Sequence, residues 1–172
     1  TAYETIKANR ADSDKRILSW TVTAKDGTVS TYGNTANSYA CPEDSPNNRY
    51  SWYVTSEIDT HGNTVNYTYT KNEGSVYISE IAYSGNKIVF SYENREDVRV
   101  DPQGKFVQKT AWRIKDISTF YGSTLLKTYS FTYKSGLANQ SLLSAFSCKS
   151  MDASEDDWKY TFGYEEIDTD EN

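Results

Sequence analysis

The sequence predicts an all-β protein, an antiparallel, hairpin-rich fold of about ten strands in one or more sheets that are curled or partly open. Fifteen tyrosines against a single methionine suit pleated, half-exposed surfaces better than helical cores. Aromatic or aliphatic residues alternate with Thr, Ser or Lys, and no window keeps a 3.6-residue period over four turns. This alternation indicates an antiparallel sheet with one packed face and one wetter face.

A hairpin-like segment occurs twice, in residues 56–69 and again in residues 79–92. Each copy contains an apolar run, a Gly-Asn turn and an alternating aromatic run. Glycine accepts the positive φ of a tight reversal, and residues two apart on a strand share a face. Each copy therefore predicts two strands, a turn and a pair of aromatic side chains on one face. The residues of this structural repeat are Asp59, Gly62, Asn63, Tyr67 and Tyr69 in the first copy and Gly85, Asn86, Phe90 and Tyr92 in the second.

The elements before the repeat follow from turn chemistry. An Asp-Gly pair between alternating runs predicts a hairpin of residues 17–24 and 29–32. Residues 33–48 contain two prolines among Asn and Ser, which indicates a long loop. Residues 50–58 alternate again and predict the strand that opens the repeated pair.

The elements after the repeat are less regular. Residues 93–97 are charged and predict a reversal, and residues 98–107 predict a short hairpin. Residues 135–140 are expected to form a connector, with room for one helical turn. The remaining predicted strands are residues 111–120, 124–133, 142–148 and 158–164.

The chain length of 172 residues suits a single domain. We expect one β-rich domain over residues 17–165, preceded by a polar lead-in at 1–16 and followed by an acidic tail or linker at 166–172. The chain begins at Thr1 rather than at a methionine, which suggests a segment of a longer protein.

The net charge of −6 argues against a partner that is held through phosphate groups, such as nucleic acid or an anionic membrane. No apolar run approaches the ~20 residues of a membrane-spanning helix, so we expect no membrane insertion.

The sequence predicts no catalytic residue, no cofactor and no metal site. One histidine, His61, is too few for the usual zinc ligand sets and is expected to be an exposed turn residue. Asp59 and Asn63 would suit a calcium ion, although an Asp at a turn more often accepts hydrogen bonds from its own backbone. The acidic residues of 152–157 are consecutive, which does not place two carboxylates across a cleft. Cys41 and Cys148 form either one disulfide or, as we expect, two unpaired thiols.

Three tryptophans, Trp52, Trp112 and Trp158, are candidates for stacking on sugar rings. Each lies within an alternating segment, so packing within the sheet is the favoured interpretation and aromatic binding the alternative.

The order of these motifs resembles a known family. Asp59, Gly62, Asn63, Tyr67 and Tyr69 follow the pattern of the tyrosine-aspartate (YD, or RHS) repeat. The succession from the Lys-Asp-Gly-Thr turn at 25–28 to the Tyr-Thr-Phe-Gly-Tyr run at 160–164 resembles the SpvB-like amino-terminal region of Tc-toxin B components. The second copy departs from the repeat, because Ala82 and Tyr83 stand where Asp is expected.

The resemblance implies a non-catalytic structural β-segment of a large, secreted or cell-surface bacterial protein. Such a segment would form part of a shell that encloses or presents another polypeptide. Its partners would be the remainder of its own chain or subunits of a toxin complex. The alternative function is a glycan- or protein-binding module that uses exposed aromatic residues.

Overall fold

The structure is a computed structural model that describes residues 4–42, 44–102, 106–152, 154 and 157–165. Thirteen strands account for most of these residues. In chain order the strands are β1 (Thr5–Arg10), β2 (Ile17–Thr23), β3 (Val29–Tyr32), β4 (Tyr39–Ala40), β5 (Ser51–Trp52), β6 (Val54–Ile58), β7 (Thr64–Asn72), β8 (Ser75–Tyr83), β9 (Asn86–Asp101), β10 (Gln108–Tyr121), β11 (Thr124–Ser135), β12 (Ser141–Ser150) and β13 (Trp158–Thr161).

Eleven strands form one antiparallel sheet, in the order β1-β2-β3-β6-β7-β8-β9-β10-β11-β12-β13, and the sheet does not close into a barrel. Every neighbour in the sheet is also the next of these strands along the chain. Strands β4 and β5 pair separately. The predicted all-β, hairpin-rich and partly open fold is therefore confirmed.

The predicted polar lead-in contains strand β1. Its residues pair with β2 in the register Thr5↔Thr23 through Asn9↔Ser19. β1 is an edge strand and is largely exposed to solvent, so that even Ile6 is 63% exposed. This exposure is consistent with the polar sequence of the segment. The predicted acidic tail at 166–172 lies outside the described residues.

The predicted reversal at 93–97 is wrong, because β9 continues through it to Asp101. Charged residues there suggested a turn, but the structure pairs them within the sheet. Arg113 on β10 donates to Glu93 across 2.6 Å, and Arg95 forms an ion pair of 2.7 Å with Asp97. These ion pairs stabilise the charged residues within the strand, so β9 and β10 form one long hairpin. Of the short hairpin predicted at 98–107, residues 98–101 belong to the end of β9, and residues 103–105 lie outside the described residues.

The strand predicted at 50–58 is divided. Residues 51–52 pair with β4, whereas residues 54–58 join the main sheet beside β3. Tyr53 links the two parts, since its N–H donates to the Ser38 carbonyl and its own carbonyl accepts from Gly33. The long loop predicted at 33–48 therefore contains a strand, β4, and returns to the main sheet through these hydrogen bonds.

A large bulge, with four residues opposite one, interrupts the pairing of β9 with β10. The register passes from Thr110↔Arg99 to Trp112↔Asn94, so residues 95–98 face Ala111 alone. The hydroxyl of Tyr77 accepts hydrogen bonds from the N–H groups of Ala111 and Trp112, at 3.1 and 3.3 Å. One side-chain oxygen therefore satisfies donors that the bulge withdraws from the ladder.

The connector at 135–140 is a turn closed by the N–H of Gly136 on the Gln140 carbonyl, without a helical turn. Within the described ranges, no helix is long and apolar enough to cross a membrane.

Candidate functional site

The two faces of the sheet carry different side chains across β9–β13. Neighbouring strands place one set of residues directly opposite one another, and the residues next to them in sequence form a second set on the other face. The first set, the apolar row, is Phe90, Ile117, Tyr129, Cys148 and Trp158. The second set, the polar row, is Ser91, Asp116, Ser130, Ser147 and Lys159.

The polar row is hydrogen-bonded internally. Asp116 accepts a bond of 2.7 Å from the hydroxyl of Ser130 and a bond of 3.2 Å from the hydroxyl of Ser91. The hydroxyls of Ser118 and Thr128 form another hydrogen bond, of 3.3 Å. The polar face thus satisfies part of its own hydrogen-bonding capacity across three strands.

Small polar residues continue on this face through the first half of the sheet. Direct cross-strand pairs connect five strands through Lys7, Thr21, Thr31, Ser56 and Asn66. The two halves together make a long face of hydroxyl, amide and ammonium groups.

The aromatic face, which is the face that carries the apolar row, is held by a hydrogen bond that recurs on β7, β9 and β11 and in the segment after β13. A tyrosine that stands two residues after another aromatic residue donates its hydroxyl proton to a carbonyl oxygen of the preceding strand. We call these four tyrosines the tyrosine latches. They are Tyr69 to Val54 at 2.7 Å, Tyr92 to Ile78 at 2.6 Å, Tyr133 to Ile114 at 2.7 Å and Tyr164 to Leu143 at 2.8 Å.

Burial and hydrogen bonding change the acidity of these phenols. Burial raises the pKa of Tyr69 and of Tyr92 to about 12 each, and it raises the pKa of Tyr133 as well. The hydroxyl of Tyr67 lies 2.5 Å from a carboxylate oxygen of Glu57, and this hydrogen bond raises the pKa of Tyr67 to about 12. The phenols are held in their neutral, donating form.

The predicted repeat residues at the first turn serve the backbone. Asp59 Oδ1 accepts from the N–H groups of His61 and Asn63 at 2.8 Å, and Oδ2 accepts from the Asn63 side-chain amide at 2.7 Å. The pKa of Asp59 is lowered, and the hydrogen bond from the Asn63 side chain is the largest cause. Gly62 has a φ of +85°, the left-handed conformation that favours glycine. The carboxylate is thus used to fix the turn.

The second turn has a different geometry. Tyr83 and Asn86 pair directly, so Ser84 and Gly85 form a two-residue turn with φ values of +44° and +78°. Two positive φ values are typical of a type I′ hairpin, which needs no side-chain carboxylate. This geometry explains how the second copy of the repeat folds without the Asp.

The three candidate tryptophans lie in different environments. Trp52 packs edge-on against Trp20 at 5.8 Å and donates its indole N–H to the Leu18 carbonyl. Trp112 stacks on Tyr92 at 6.0 Å. Trp158 lies at the sheet edge, 39% exposed. All three take part in ring packing, since Trp158 also contacts Tyr129, Phe146 and Tyr160, and Trp158 is the exposed one of the three.

A clamp of charged groups joins β9 to β12. Asp97 accepts two hydrogen bonds from Arg95, at 2.9 and 2.7 Å, and further bonds from the N–H and hydroxyl of Ser141. Arg113 donates to the same Ser141 hydroxyl at 2.8 Å and lies over the ring of Tyr133. The bonds from Arg95 and Ser141 hold the pKa of Asp97 well below its usual range.

The clamp has a geometric consequence. In a flat sheet β9 and β12 would be separated by three strand spacings, roughly 14 Å. A direct hydrogen bond between Asp97 and Ser141 requires the sheet to curl at this end.

The remaining sequence candidates do not come together into a reactive site. The His61 side chain is 84% exposed. Cys41 and Cys148 are both free thiols. Among the described residues, no group of three or more His, Cys, Asp or Glu side chains is placed to hold a metal ion. Part of the acidic segment at 152–157 lies outside the described residues.

Sequence reasoning missed two features of this architecture. The Ser141 contact has no sequence signal, because 44 positions separate it from Asp97. The latches on Tyr133 and Tyr164 did have a signal, since each follows another aromatic residue at a spacing of two, as Tyr69 and Tyr92 do.

The comparisons with known proteins support the SpvB-like resemblance. Residues 1–80 match a family model described as SpvB, Salmonella virulence plasmid 65kDa B protein. The solved amino-terminal domain of the effector SpvB from Salmonella typhimurium strain LT2 superimposes with a TM-score of 0.79 at 13% identity, covering 88% of this chain and 67% of that one. The resemblance predicted from the motifs is confirmed.

Tc toxin structures share the same fold. A TcdB2-TccC3-Cdc42 structure gives a TM-score of 0.75 at 12% identity and covers 86% of this chain. A Tc holotoxin pore from Photorhabdus luminescens gives 0.75 at 12% identity and covers 84%. This chain spans 10% of the length of each of those chains. No curated protein sequence matches the chain.

Proposed function

We propose that this chain is a non-catalytic structural panel of a large, secreted or cell-surface bacterial protein of the toxin-delivery kind. The panel would form part of a wall that encloses or presents another polypeptide. Its partners would be the remainder of its own longer chain or subunits of a toxin complex. We take the structural unit to be the predicted domain of residues 17–165 together with β1, because β1 is hydrogen-bonded to β2 in the same sheet.

The observation that carries this proposal is the thinness of the fold. Stable domains usually bury one face of each sheet against a second layer. Among the described residues, the buried hydrophobic side chains are those of Ala40, Tyr69, Ala111, Ala145 and Cys148, and only one of these is large. The apolar row therefore has little of its own chain to cover it at the β13 edge, where Tyr160 is 64% exposed. Neighbouring parts of a wall would bury it.

The two faces suit different neighbours. The aromatic face offers apolar area, worth roughly 25 cal/mol per Å² when it is covered. The polar face presents small hydroxyl groups that already hydrogen-bond to one another, as Asp116 does with Ser91 and Ser130. A wall with such faces would join its neighbours through the aromatic side and turn the other toward water or an enclosed chain.

The test uses the full-length parent protein and limited proteolysis. Trp158→Glu places a charge on the aromatic face, and we expect faster cleavage of the polypeptide that the wall encloses. Lys159→Glu is the matched control, because the next residue of the same strand lies on the other face. Equal protease resistance of the parent protein and the Trp158→Glu variant would refute the enclosing role.

A second candidate is a glycan- or protein-binding module. The exposed rings of Trp158 and Tyr160, in edge-to-face contact at 5.3 Å at the sheet edge, favour it. Titration of a glycan panel, followed by tryptophan fluorescence, tests it. A saturable shift that is lost in Trp158→Ala but kept in Trp112→Phe would support binding at the edge.

A further inference from the structure

A cavity lies between the long loop and the end of β7. Its volume is about 560 Å³, within the range of small-molecule sites in proteins. The loop contributes Tyr39 on β4 together with Cys41, Pro42 and Pro46, and β7 contributes Lys71. The walls therefore combine one aromatic ring and several apolar side chains with polar groups, which include the Lys71 ammonium, Asn72 and Glu73.

Two cationic side chains contact the same aromatic ring at this cavity. The Arg49 guanidinium lies 3.7 Å from the centroid of the Tyr39 ring, and the Lys71 ammonium lies 4.1 Å from it. Their partners differ. Arg49 donates to the carbonyl oxygens of Leu18 and Gly33, so it anchors the loop to the sheet. Among the described residues, the hydrogen-bond partner of Lys71 is a weak acceptor, Cys41 Sγ, at 3.8 Å.

Neither cation has a carboxylate partner in an ion pair among the described residues, although the chain carries a net charge of −6. The acidic side chain in the cavity wall, Glu73, is engaged by Lys109 at 2.8 Å. An ammonium that lies beside an aromatic ring and has no carboxylate partner among the described residues is an incomplete arrangement, because charges removed from water are usually paired.

We propose that this cavity binds a small organic carboxylate, with Lys71 as the residue that pairs with the anion. The carboxylate would complete the ion pair, and the organic part of the ligand would lie against Tyr39, Pro42 and Pro46. The chemistry fits a free carboxyl group on either an acylated amino acid or a sugar acid. The proposal is independent of the wall function, because it concerns the loop end of the sheet and can be tested on this chain alone.

The test is a titration followed by two-dimensional ¹H–¹⁵N NMR, with sodium N-acetylglutamate in one arm and sodium glucuronate in the other. Sodium chloride at matched ionic strength is the reference. We expect saturable shifts of backbone amides around Lys71 and Tyr39 in at least one carboxylate arm. The arm that saturates at lower concentration identifies the source of the carboxyl group.

Variants locate the anion. Lys71→Met keeps the length of the side chain and removes the charge, and it should weaken binding about tenfold or more, because the carboxylate loses a charge-assisted hydrogen bond. Lys71→Arg should retain binding. Lys159→Met removes the same charge from the polar row and should leave the affinity unchanged.

A second measurement uses the unaltered chain, in case Lys71→Met does not fold. Reductive methylation followed by mass spectrometry should show that the carboxylate slows modification of Lys71 but not of Lys159. Absence of saturation in both arms, equal shifts with chloride, or unchanged affinity in a folded Lys71→Met variant would each overturn the proposal. Unprotected Lys71 at saturating carboxylate would overturn it as well.

Discussion

The hydroxyl of Tyr92 on β9 donates a hydrogen bond of 2.6 Å to the carbonyl oxygen of Ile78 on β8. The two strands pair directly only at the β8–β9 turn, through residues 80–83 and 86–89. Beyond that point the backbone hydrogen bonds between the two strands end, and the hydrogen bond from the Tyr92 hydroxyl joins the strands instead. The same relationship on β7 and β11 makes it a periodic device of this sheet.

Replacing Tyr92 by Phe should lower the free energy of unfolding by about 1 kcal/mol, because the Ile78 carbonyl loses its donor in a half-buried position. Urea denaturation measures the change. Tyr83→Phe, at a more exposed ring on β8, is the control and should stay within about 0.5 kcal/mol. Equal effects of the two variants would show that the latch contributes nothing specific.

The latches also predict an alkaline transition. Tyr69 and Tyr92 have folded-state pKa values of about 12, above the ordinary value of 10.0. The folded state therefore binds more protons than the unfolded state in this window, so the latch contribution is complete below about pH 10 and is lost as the pH rises to about 12. Phenolate absorbance at 295 nm should show late-titrating tyrosines that coincide with unfolding. Titration of every tyrosine near pH 10 in the folded chain would contradict this.

The clamp between β9 and β12 can be tested through its serine. Ser141→Ala removes the hydroxyl that Asp97 accepts from and that Arg113 donates to, and it should cost about 1–2 kcal/mol of unfolding free energy. Ser135→Ala is the matched control, since Ser135 pairs with Ser141 across β11 and β12. Because the pKa of Asp97 is lowered, its contribution should be present above about pH 4 and fade only in stronger acid. Loss of the Ser141 effect already at pH 6 would exclude the clamp.

The tryptophans should differ in their structural contribution. Trp52→Ala removes a ring packed on Trp20 and an indole hydrogen bond, and it should cost about 3 kcal/mol. Trp158→Ala, at the exposed edge, should cost less than about 1.5 kcal/mol. Thermal unfolding monitored by circular dichroism compares the two. A larger loss of stability in Trp158→Ala than in Trp52→Ala would show that the rings around Trp158 contribute more to stability than the Trp20–Trp52 pair does.

Local rules predicted much of the fold. Alternation identified most strands of the main sheet, and the turn at Gly85 follows from the left-handed conformation that glycine allows. The same rules failed at residues 93–97 and within 50–58. At Glu93 and Asp97 the sequence shows charges that are typical of a turn, whereas their cationic partners, Arg113 and Arg95, keep them in the strand. Arg113 lies on β10, and the local charge pattern around Glu93 cannot reveal a partner on another strand.

The sequence by itself determined the class of fold, the alternation of the two faces and the positions of the tyrosines, because these depend on the two-residue period of a strand and on the backbone freedom of glycine. The tertiary structure alone decided where each hydroxyl and charge finds its partner. Tyr77 caps a bulge 34 residues away, and Asp97 reaches Ser141 across two intervening strands. These contacts depend on the curl and bulges of the assembled sheet, which no local pattern encodes.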